Sequence, residues 1–473
     1  MKLKKRKMTQ MKLSPFSTYI ASVMVYIVSG IRNIVLAAHF SKDEFSINFL
    51  STLIITLLLL LDFGNTYKLQ NTSPSNGDSV QHNSDEVIAA RKYLYVLSTF
   101  STIFLGLTSL ILYFVNANLY ALALFSASVI FPLQYSLTQR MALMIGSGRV
   151  LLSQIVFLAA ACVNLLFTTL FISTLGILVI LLGPVLGFAL LNLFYWKIPV
   201  KLDSKAALLY PSHYIKKRFV NQKSIGVSNF YSYILINIDF LACLFLLNSN
   251  QTGDIAFLLN LLTLVSVLPI TLGNILINII KTKYSQERHS DVKSILSKTR
   301  NLLFCLCILE INVILIASKQ LIHTFLPSYF SAANLIWIYG LIHLLYISTF
   351  YSSNLFYLYG SQYRVRRIYE VCGVIWVLLL MMLALLDSVS LERLMVLALI
   401  RNLVFFILHA RLVFKWGNFS LSSVLPYLYF VMVLFASQFI LNKYDLSDLN
   451  RREFIFLCAY LLGVLYATGI RYK

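Results

Sequence analysis

The sequence has few charged residues and lacks the long polar stretches from which a soluble domain folds. Asp, Glu, Lys and Arg make up 12% of its 473 residues, whereas soluble globular domains contain about 25%. Hydrophobic runs of about 20 residues recur from end to end, and each can cross a bilayer as a helix. The runs are continuous rather than alternating, which excludes a transmembrane β-barrel. The composition therefore predicts an all-α polytopic membrane protein.

Acidic residues are the scarcer charge: 18 Asp and Glu stand against 39 Lys and Arg, for a net charge of +21. Such an excess can indicate nucleic-acid binding, but the positions of the basic residues argue otherwise. With a cytoplasmic N-terminus, 31 of the 39 fall in segments on the cytoplasmic side of the predicted spans, as the positive-inside rule requires. The charge therefore predicts cytoplasmic termini and contact with anionic lipid headgroups, and no nucleic-acid partner.

Cysteine is also sparse, and all six cysteines lie inside apolar runs. There they fit the role of small packing residues. Their spacing matches neither a metal site nor a disulfide framework. We therefore expect no metal and no cofactor.

The apolar runs predict fourteen spans. They cover residues 16–39, 46–64, 93–115, 118–139, 149–172, 174–196, 226–248, 255–279, 300–318, 332–358, 368–386, 391–410, 421–441 and 453–470. Missing or adding one span would scramble the alternation of basic and less basic loops, so the number is expected to be even.

A strongly basic segment divides the spans into groups. We predict an N-terminal six-helix bundle (1–196), a basic cytoplasmic hinge (197–225), a second six-helix bundle (226–415) and an extra transmembrane pair (416–473). Because six spans precede the hinge, both bundles enter the membrane from the same side. If the bundles are repeats, they are parallel repeats about an axis along the membrane normal.

Ionisable side chains inside these spans are the main functional candidates, since they are costly in lipid and usually face a cavity or a partner. Arg32 in span one ranks first, because a guanidinium offers a fork of donors matched to phosphate. The alternative is a structural ion pair between Arg32 and Asp239 of span seven, and such a pair would also serve as a gate. Asp62, at the end of span two, fits a helix terminator.

Arg401 in span twelve offers the same chemistry as Arg32, and the alternatives are that it snorkels to the membrane interface or pairs with Glu310 of span nine. Asp239 and Glu310 are candidates for binding a coupling cation or proton, and the alternative is that each is the counter-ion of an arginine.

Polar uncharged groups form a further set of candidates. Asn237, Asn274 and His343 lie within spans seven, eight and ten, where they could contact sugar hydroxyls. The alternative for each is a hydrogen bond to a neighbouring helix.

Several features together resemble one family of transporters. They are the six, six and two grouping of spans, an arginine in the first span, Asp62-Phe63-Gly64 after the second, Asn237-Ile238-Asp239 in the seventh, and the run from Asp254 to Ile280. This pattern is similar to the polysaccharide transporter, or Wzx-type O-antigen flippase, family. That family belongs to the multidrug/oligosaccharidyl-lipid/polysaccharide superfamily, together with MATE exporters and the lipid II flippase.

The resemblance implies a V-shaped pair of six-helix lobes around a central cavity in the bacterial inner membrane. Its substrate would be an undecaprenyl-diphosphate-linked oligosaccharide, such as an O-antigen, capsule or exopolysaccharide repeat unit, moved by alternating access. Arg32 and Arg401 would then hold the diphosphate, and Asp239 or Glu310 would be the coupling or gating site. The expected partners are this lipid-linked oligosaccharide, membrane lipids and the polysaccharide polymerase machinery.

Two other functions fit the composition less well. A MATE-type exporter would share the fold, but it would prefer organic cations, which a cavity lined by arginine repels. A polytopic glycosyltransferase or O-antigen polymerase usually carries large outer loops, and the sequence has none. We therefore expect a transporter and not an enzyme.

Overall fold

The structure, a computed structural model, describes a large part of the chain. The described residues are 15–62, 66, 84–146, 150–195, 227, 230, 231, 233–235, 237–265, 322–333, 335, 336, 338–343, 345, 362–386 and 389–417. The predicted hinge, Glu310, Asn274 and the C-terminal pair of spans lie outside these residues. The number of fourteen spans and the domain boundaries accordingly remain predictions.

The described residues form helices and contain no strand, as predicted. The N-terminal half (residues 15–195) contains α1 (Pro15–His39), α2 (Lys42–Leu60), α3 (Ser84–Phe114), α4 (Asn118–Gly146), α5 (Val150–Leu175), a 3₁₀ turn (Gly176–Leu178) and α6 (Val179–Tyr195). The C-terminal half (residues 227–417) contains α7 (Asn237–Leu246), then α8 (Ser249–Val265), a 3₁₀ turn (Pro327–Tyr329), α9 (Phe330–Ala333), α10 (Gln362–Leu385) and α11 (Leu391–Gly417).

Six stretches of the described chain are long and apolar enough to cross a membrane. They are Ile20–His39, Lys42–Leu60, Ala89–Phe114, Asn118–Ile145, Val150–Leu193 and Tyr363–Leu385. The fifth runs through both α5 and α6, which the sequence predicts as two spans. The chain is therefore a multi-pass membrane protein.

Local sequence signals set several helix ends. Ser41 caps α2 by accepting from the backbone of Glu44, whose side chain bonds back to Ser41, and this capping box starts the helix at Lys42 rather than at the predicted residue 46. At the end of α3, Asn116 adopts a positive φ of 63°. The N–H groups of Asn116 and Ala117 bond the carbonyls of Tyr113 and Leu112, which is a Schellman ending.

One face of α2 forms much of the seam between the two halves. Phe45 packs edge-on against Tyr329, Phe49 packs edge-on against Phe240, and the carbonyl of Leu53 accepts a hydrogen bond from Tyr233. Residues 45, 49 and 53 are four apart, so they stack on one helix face. The main apolar core of the described residues runs through this seam. The halves are therefore packed together along the first part of α2.

Another surface of the N-terminal half, along α3, is apolar and exposed among the described residues. Along α3 the exposed side chains include Phe100, Phe104, Leu107 and Ile111, whose spacing of three and four residues places them on one face. A surface of this kind is compatible with lipid acyl chains, as expected for a transmembrane helix.

Candidate functional site

Arg32 lies in the last third of α1, where the α1–α2 hairpin positions it against Asn48. Two residues, Phe40 and Ser41, join the two helices. Arg32 and Asn48 each lie roughly two helical turns from this loop. Arg32 Nη1 donates to Asn48 Oδ1 at 3.3 Å, and Arg32 is 8% exposed.

The other donors of Arg32 are unused. Its Nε and Nη2 atoms are buried and have no hydrogen-bond partner in the described part of the structure. A buried charged donor without an acceptor costs several kcal/mol in general. Arg32 therefore has a buried, positively charged edge whose two donors lack an acceptor among the described residues.

The residue after Arg32 joins the two halves. Asn33 Nδ2 donates to Asn260 Oδ1 of α8 at 2.8 Å. Asn33, the residue after Arg32 in α1, therefore lies at the boundary between the halves.

The C-terminal half contains a different arginine site. Arg401 of α11 donates from Nη1 and Nη2 to the two carboxylate oxygens of Asp239 at 2.9 and 2.8 Å. Trp376 of α10 donates its indole N–H to the same carboxylate at 3.1 Å. Arg401 is 2% exposed and Asp239 is 1% exposed. The pair is fully buried and bidentate, and it connects α7, α10 and α11.

A small cavity of about 20 Å³ borders this pair. Its polar lining comprises Asp239, Arg401, Asn402, Tyr339 and His343. His343 Nε2 and Arg401 Nε lack a hydrogen-bond partner in the described residues. A volume of this size holds about one water molecule, so the cavity is too small for a sugar or a diphosphate in this conformation.

The structure resolves the alternatives for the two arginines in part. Asp239 pairs with Arg401 and not with Arg32, whose observed bond goes to Asn48. Glu310, the other predicted partner of Arg401, lies outside the described residues. Asp239 is thus the counter-ion of an arginine, one of its two predicted roles.

The structure describes two of the three polar candidates, Asn237 and His343. Asn237 donates to the carbonyl of Tyr233, four residues earlier in the same helical stretch. His343 faces the small cavity beside Arg401, and Asn274 lies outside the described residues. Asp62 accepts from the hydroxyl of Tyr135 and from the backbone N–H of Thr66, which fits its predicted role at the end of α2.

An ionic cluster closes the seam at the end where α2 and α8 begin, which we call the Lys42 end. Lys42 Nζ lies 2.6 Å from Asp254 Oδ1 and donates to Ser331 Oγ at 3.2 Å. Ser331 in turn donates to Asp254 at 2.7 Å. Lys42 also lies over the ring of Tyr329, 5.5 Å from its centroid. This cluster ties the N-terminal half to two segments of the C-terminal half.

The sequence analysis missed four of these partners: Asn48, Trp376, Lys42 and Asp254. Asn48 carries a usable signal, since it is an amide in an apolar run at the same distance from the Ser41 loop as Arg32. The other three lie far apart in sequence from their partners, and nothing in the sequence connects them. Among the described residues, no cluster of His, Cys, Asp and Glu is able to hold a metal ion.

Comparison with known proteins identifies the fold. No protein-family model matches the chain, and no curated protein matches it in sequence. Among solved structures, the chain is similar to the lipid II flippase MurJ in an inward closed conformation, with a TM-score of 0.69, 13% identity and coverage of 96% of this chain and 99% of that one.

Two further structures have the same fold. The MATE multidrug transporter DinF-BH in complex with R6G gives a TM-score of 0.63 at 15% identity, covering 88% of this chain and 98% of that one. A MOP-superfamily transporter from Pyrococcus furiosus gives a TM-score of 0.59 at 14% identity, covering 85% and 94%. The chain therefore has the fold of these proteins, which are named as transporters and a flippase.

Proposed function

We propose that this protein is a flippase for a polyprenyl-diphosphate-linked oligosaccharide in the bacterial inner membrane, acting by alternating access. The observation that carries the proposal is the buried, positively charged and unpartnered edge of Arg32. A guanidinium edge of this kind matches the oxygens of a phosphoryl group. The similarity to a protein named as a lipid II flippase, over 96% of this chain, supports a lipid-linked substrate.

The closed seam at the Lys42 end is the basis for proposing the leaflet from which the substrate enters. On the predicted topology this end faces the outside of the cell, so the halves are closed toward the outer leaflet. Substrate would then enter from the cytoplasmic leaflet and leave when the Lys42, Phe45 and Phe49 contacts separate. The oligosaccharide would be an O-antigen, capsule or exopolysaccharide repeat unit, with the polymerase machinery acting on it after release.

The other residues predicted from the sequence have separate roles in this proposal. Arg401 is occupied by Asp239 in this conformation, so it is available as a second diphosphate ligand only after that pair opens, and the pair acts as a gate. Glu310 keeps its proposed role as a coupling site. Asn237, Asn274 and His343 keep theirs as sugar contacts.

Reconstitution tests the proposal directly. The protein is placed in liposomes with a fluorescent polyprenyl-diphosphate oligosaccharide in both leaflets, and a membrane-impermeant quencher reports movement between leaflets. We expect accelerated exchange with the unaltered protein and none above empty liposomes with Arg32→Ala. Uptake of a cationic dye without movement of the lipid-linked sugar would overturn the proposal in favour of a MATE-type exporter.

A further inference from the structure

The geometry around Arg32 separates its donors into two sets. A guanidinium can chelate an anion either end-on, through Nη1 and Nη2, or side-on, through Nε and Nη2. Asn48 occupies Nη1, whereas Nε and Nη2 have no partner among the residues that the structure describes. These two donors together make up the complete side-on edge. The two donors that lack an acceptor among the described residues therefore belong to the same edge of the Arg32 guanidinium.

The identity of the partner is as informative as its position. Asn48 is buried on α2, and its carbonyl oxygen fixes the guanidinium without adding a negative charge. A carboxylate there would also accept the bond, but it would neutralise Arg32 in a low-dielectric setting where the two charges attract strongly. The Asp239 carboxylate has this effect on Arg401. An amide keeps the full positive charge available to a ligand.

We propose that Asn48 is a positioning residue that holds Arg32 so that its Nε/Nη2 edge binds two oxygens of a phosphoryl group side-on. This rests on the proposed function in one respect, the assignment of the anion to a diphosphate-linked lipid. The local requirement is more general, because a phosphoryl group and a carboxylate both present two oxygens to such an edge. Comparing the binding of farnesyl diphosphate with that of farnesoic acid, a carboxylate, distinguishes these anions.

Purified protein in nanodiscs provides the measurement, with farnesyl diphosphate as the probe and farnesol as the uncharged control. For Asn48→Asp we expect affinity for farnesyl diphosphate to fall at least tenfold, since the new carboxylate competes for Arg32. The same variant should melt about 2 °C or more above the unaltered protein, because Arg32 gains a counter-ion. A purely structural role for Asn48 would move stability and affinity in the same direction.

A second variant and a control complete the experiment. Asn48→Leu removes the acceptor but adds no charge, so affinity should fall about fivefold, the value of one hydrogen bond, and the melting temperature should fall as well. Ser46→Ala on the same helix is the matched control, because Ser46 Oγ bonds the carbonyl of Asp43. We expect this variant to bind like the unaltered protein.

The outcomes separate this inference from the proposed function. Unchanged affinity in Asn48→Asp, or a loss of both stability and affinity in that same variant, overturns the positioning role. Failure of the unaltered protein to bind farnesyl diphosphate, or equal binding of farnesol or farnesoic acid, overturns the phosphoryl assignment. Tight binding with the expected Asn48 effects, but no movement of the lipid-linked sugar in liposomes, supports the site and refutes the flippase.

Discussion

The two halves of the molecule treat a buried arginine in different ways. Arg401 in the C-terminal half is neutralised by both oxygens of Asp239. Among the described residues, Arg32 in the N-terminal half meets one neutral acceptor, Asn48, and retains a free edge. In a buried ion pair, each charge is the counter-ion of the other. A buried charge without a counter-ion is costly, and an anion that binds beside it lowers that cost. The same residue type is thus a structural connection in one half and a candidate ligand site in the other.

Breaking the Asp239–Arg401 pair should have the largest effect. Asp239→Asn leaves the Arg401 charge buried without a counter-ion, which typically costs about 3–5 kcal/mol. Thermal unfolding in detergent, followed by tryptophan fluorescence, measures the loss. The double variant Asp239→Leu with Arg401→Met should recover most of it, since paired charges are replaced by apolar groups. Melting of Asp239→Asn within about 1 °C of the unaltered protein, a shift of about 1 kcal/mol or less for a chain of this length, would contradict this account of the pair.

Substituting methionine for each arginine sharpens the comparison. Arg401→Met strands the Asp239 carboxylate and should cost about 3 kcal/mol. Arg32→Met removes a charge that lacks a counter-ion, so its stability should stay within about 1 kcal/mol of the unaltered protein or rise. Arg32→Met should nevertheless abolish anion binding. Parallel melting curves and binding isotherms measure both effects, and equal destabilisation by the two substitutions would remove the distinction between the sites.

The two halves also pack closely against each other at the Lys42 end, and a substitution in α8 tests this contact. A methyl group on Gly253 of α8 would meet the Lys42 carbonyl oxygen at 2.8 Å and its Cβ at 2.5 Å. Gly253→Ala should therefore push α2 and α8 apart, at a cost of about 1–3 kcal/mol. Cysteines introduced at positions 45 and 257 report the separation as a lower cross-linking yield.

A second glycine supplies the control for that experiment. Gly106 lies in α3, and a methyl group added to it would have no atom of a neighbouring helix within 4 Å. Gly106→Ala should raise stability by about 0.5–1 kcal/mol through helix propensity alone and leave the cross-linking yield unchanged. A similar response of the two variants would show that the seam does not depend on the Gly253 contact.

The smallest expected effect concerns the neutral contacts of the N-terminal half. Pro132 removes the N–H that would bond the Ser128 carbonyl of α4, and Thr102 of α3 donates to that carbonyl at 3.1 Å. Thr102→Val should cost about 0.6 kcal/mol, as for hydrogen bonds between membrane helices in general. Thr108→Val is the control, since Thr108 bonds the Phe104 carbonyl within its own helix. A loss above about 2 kcal/mol for Thr102→Val, beyond the range of such bonds, would mean that this half relies on strong polar contacts.

Helix content and most helix positions in the N-terminal half follow from local sequence. The predicted spans at 16–39 and 149–172 lie close to Pro15–His39 and Val150–Leu175, because a continuous apolar run in lipid has to satisfy its own backbone. Helix ends were less predictable where polar residues extend a helix beyond the apolar run. Thus α3 begins at Ser84, nine residues before the predicted span.

The candidate residues Arg32, Asp239 and Arg401 were also identifiable in the sequence, because a charge in an apolar run is conspicuous whatever its surroundings. Their pairing was not identifiable. Asp239 and Arg401 are 162 residues apart, and the sequence offered two arginines for one aspartate. Only the packing of α7 against α11 selects between them.

The sequence by itself determined the membrane-spanning helical character of this protein and the small set of ionisable groups inside it, since both depend on composition and local runs. The tertiary structure alone decided which charges neutralise each other, that Asn48 is the acceptor of Arg32, and that the halves close at Lys42 and Asp254. These contacts join residues from separate helices, and a hydrogen bond or ion pair forms only within about 3–4 Å. Local sequence does not encode such distances, and the packing of the helices sets them.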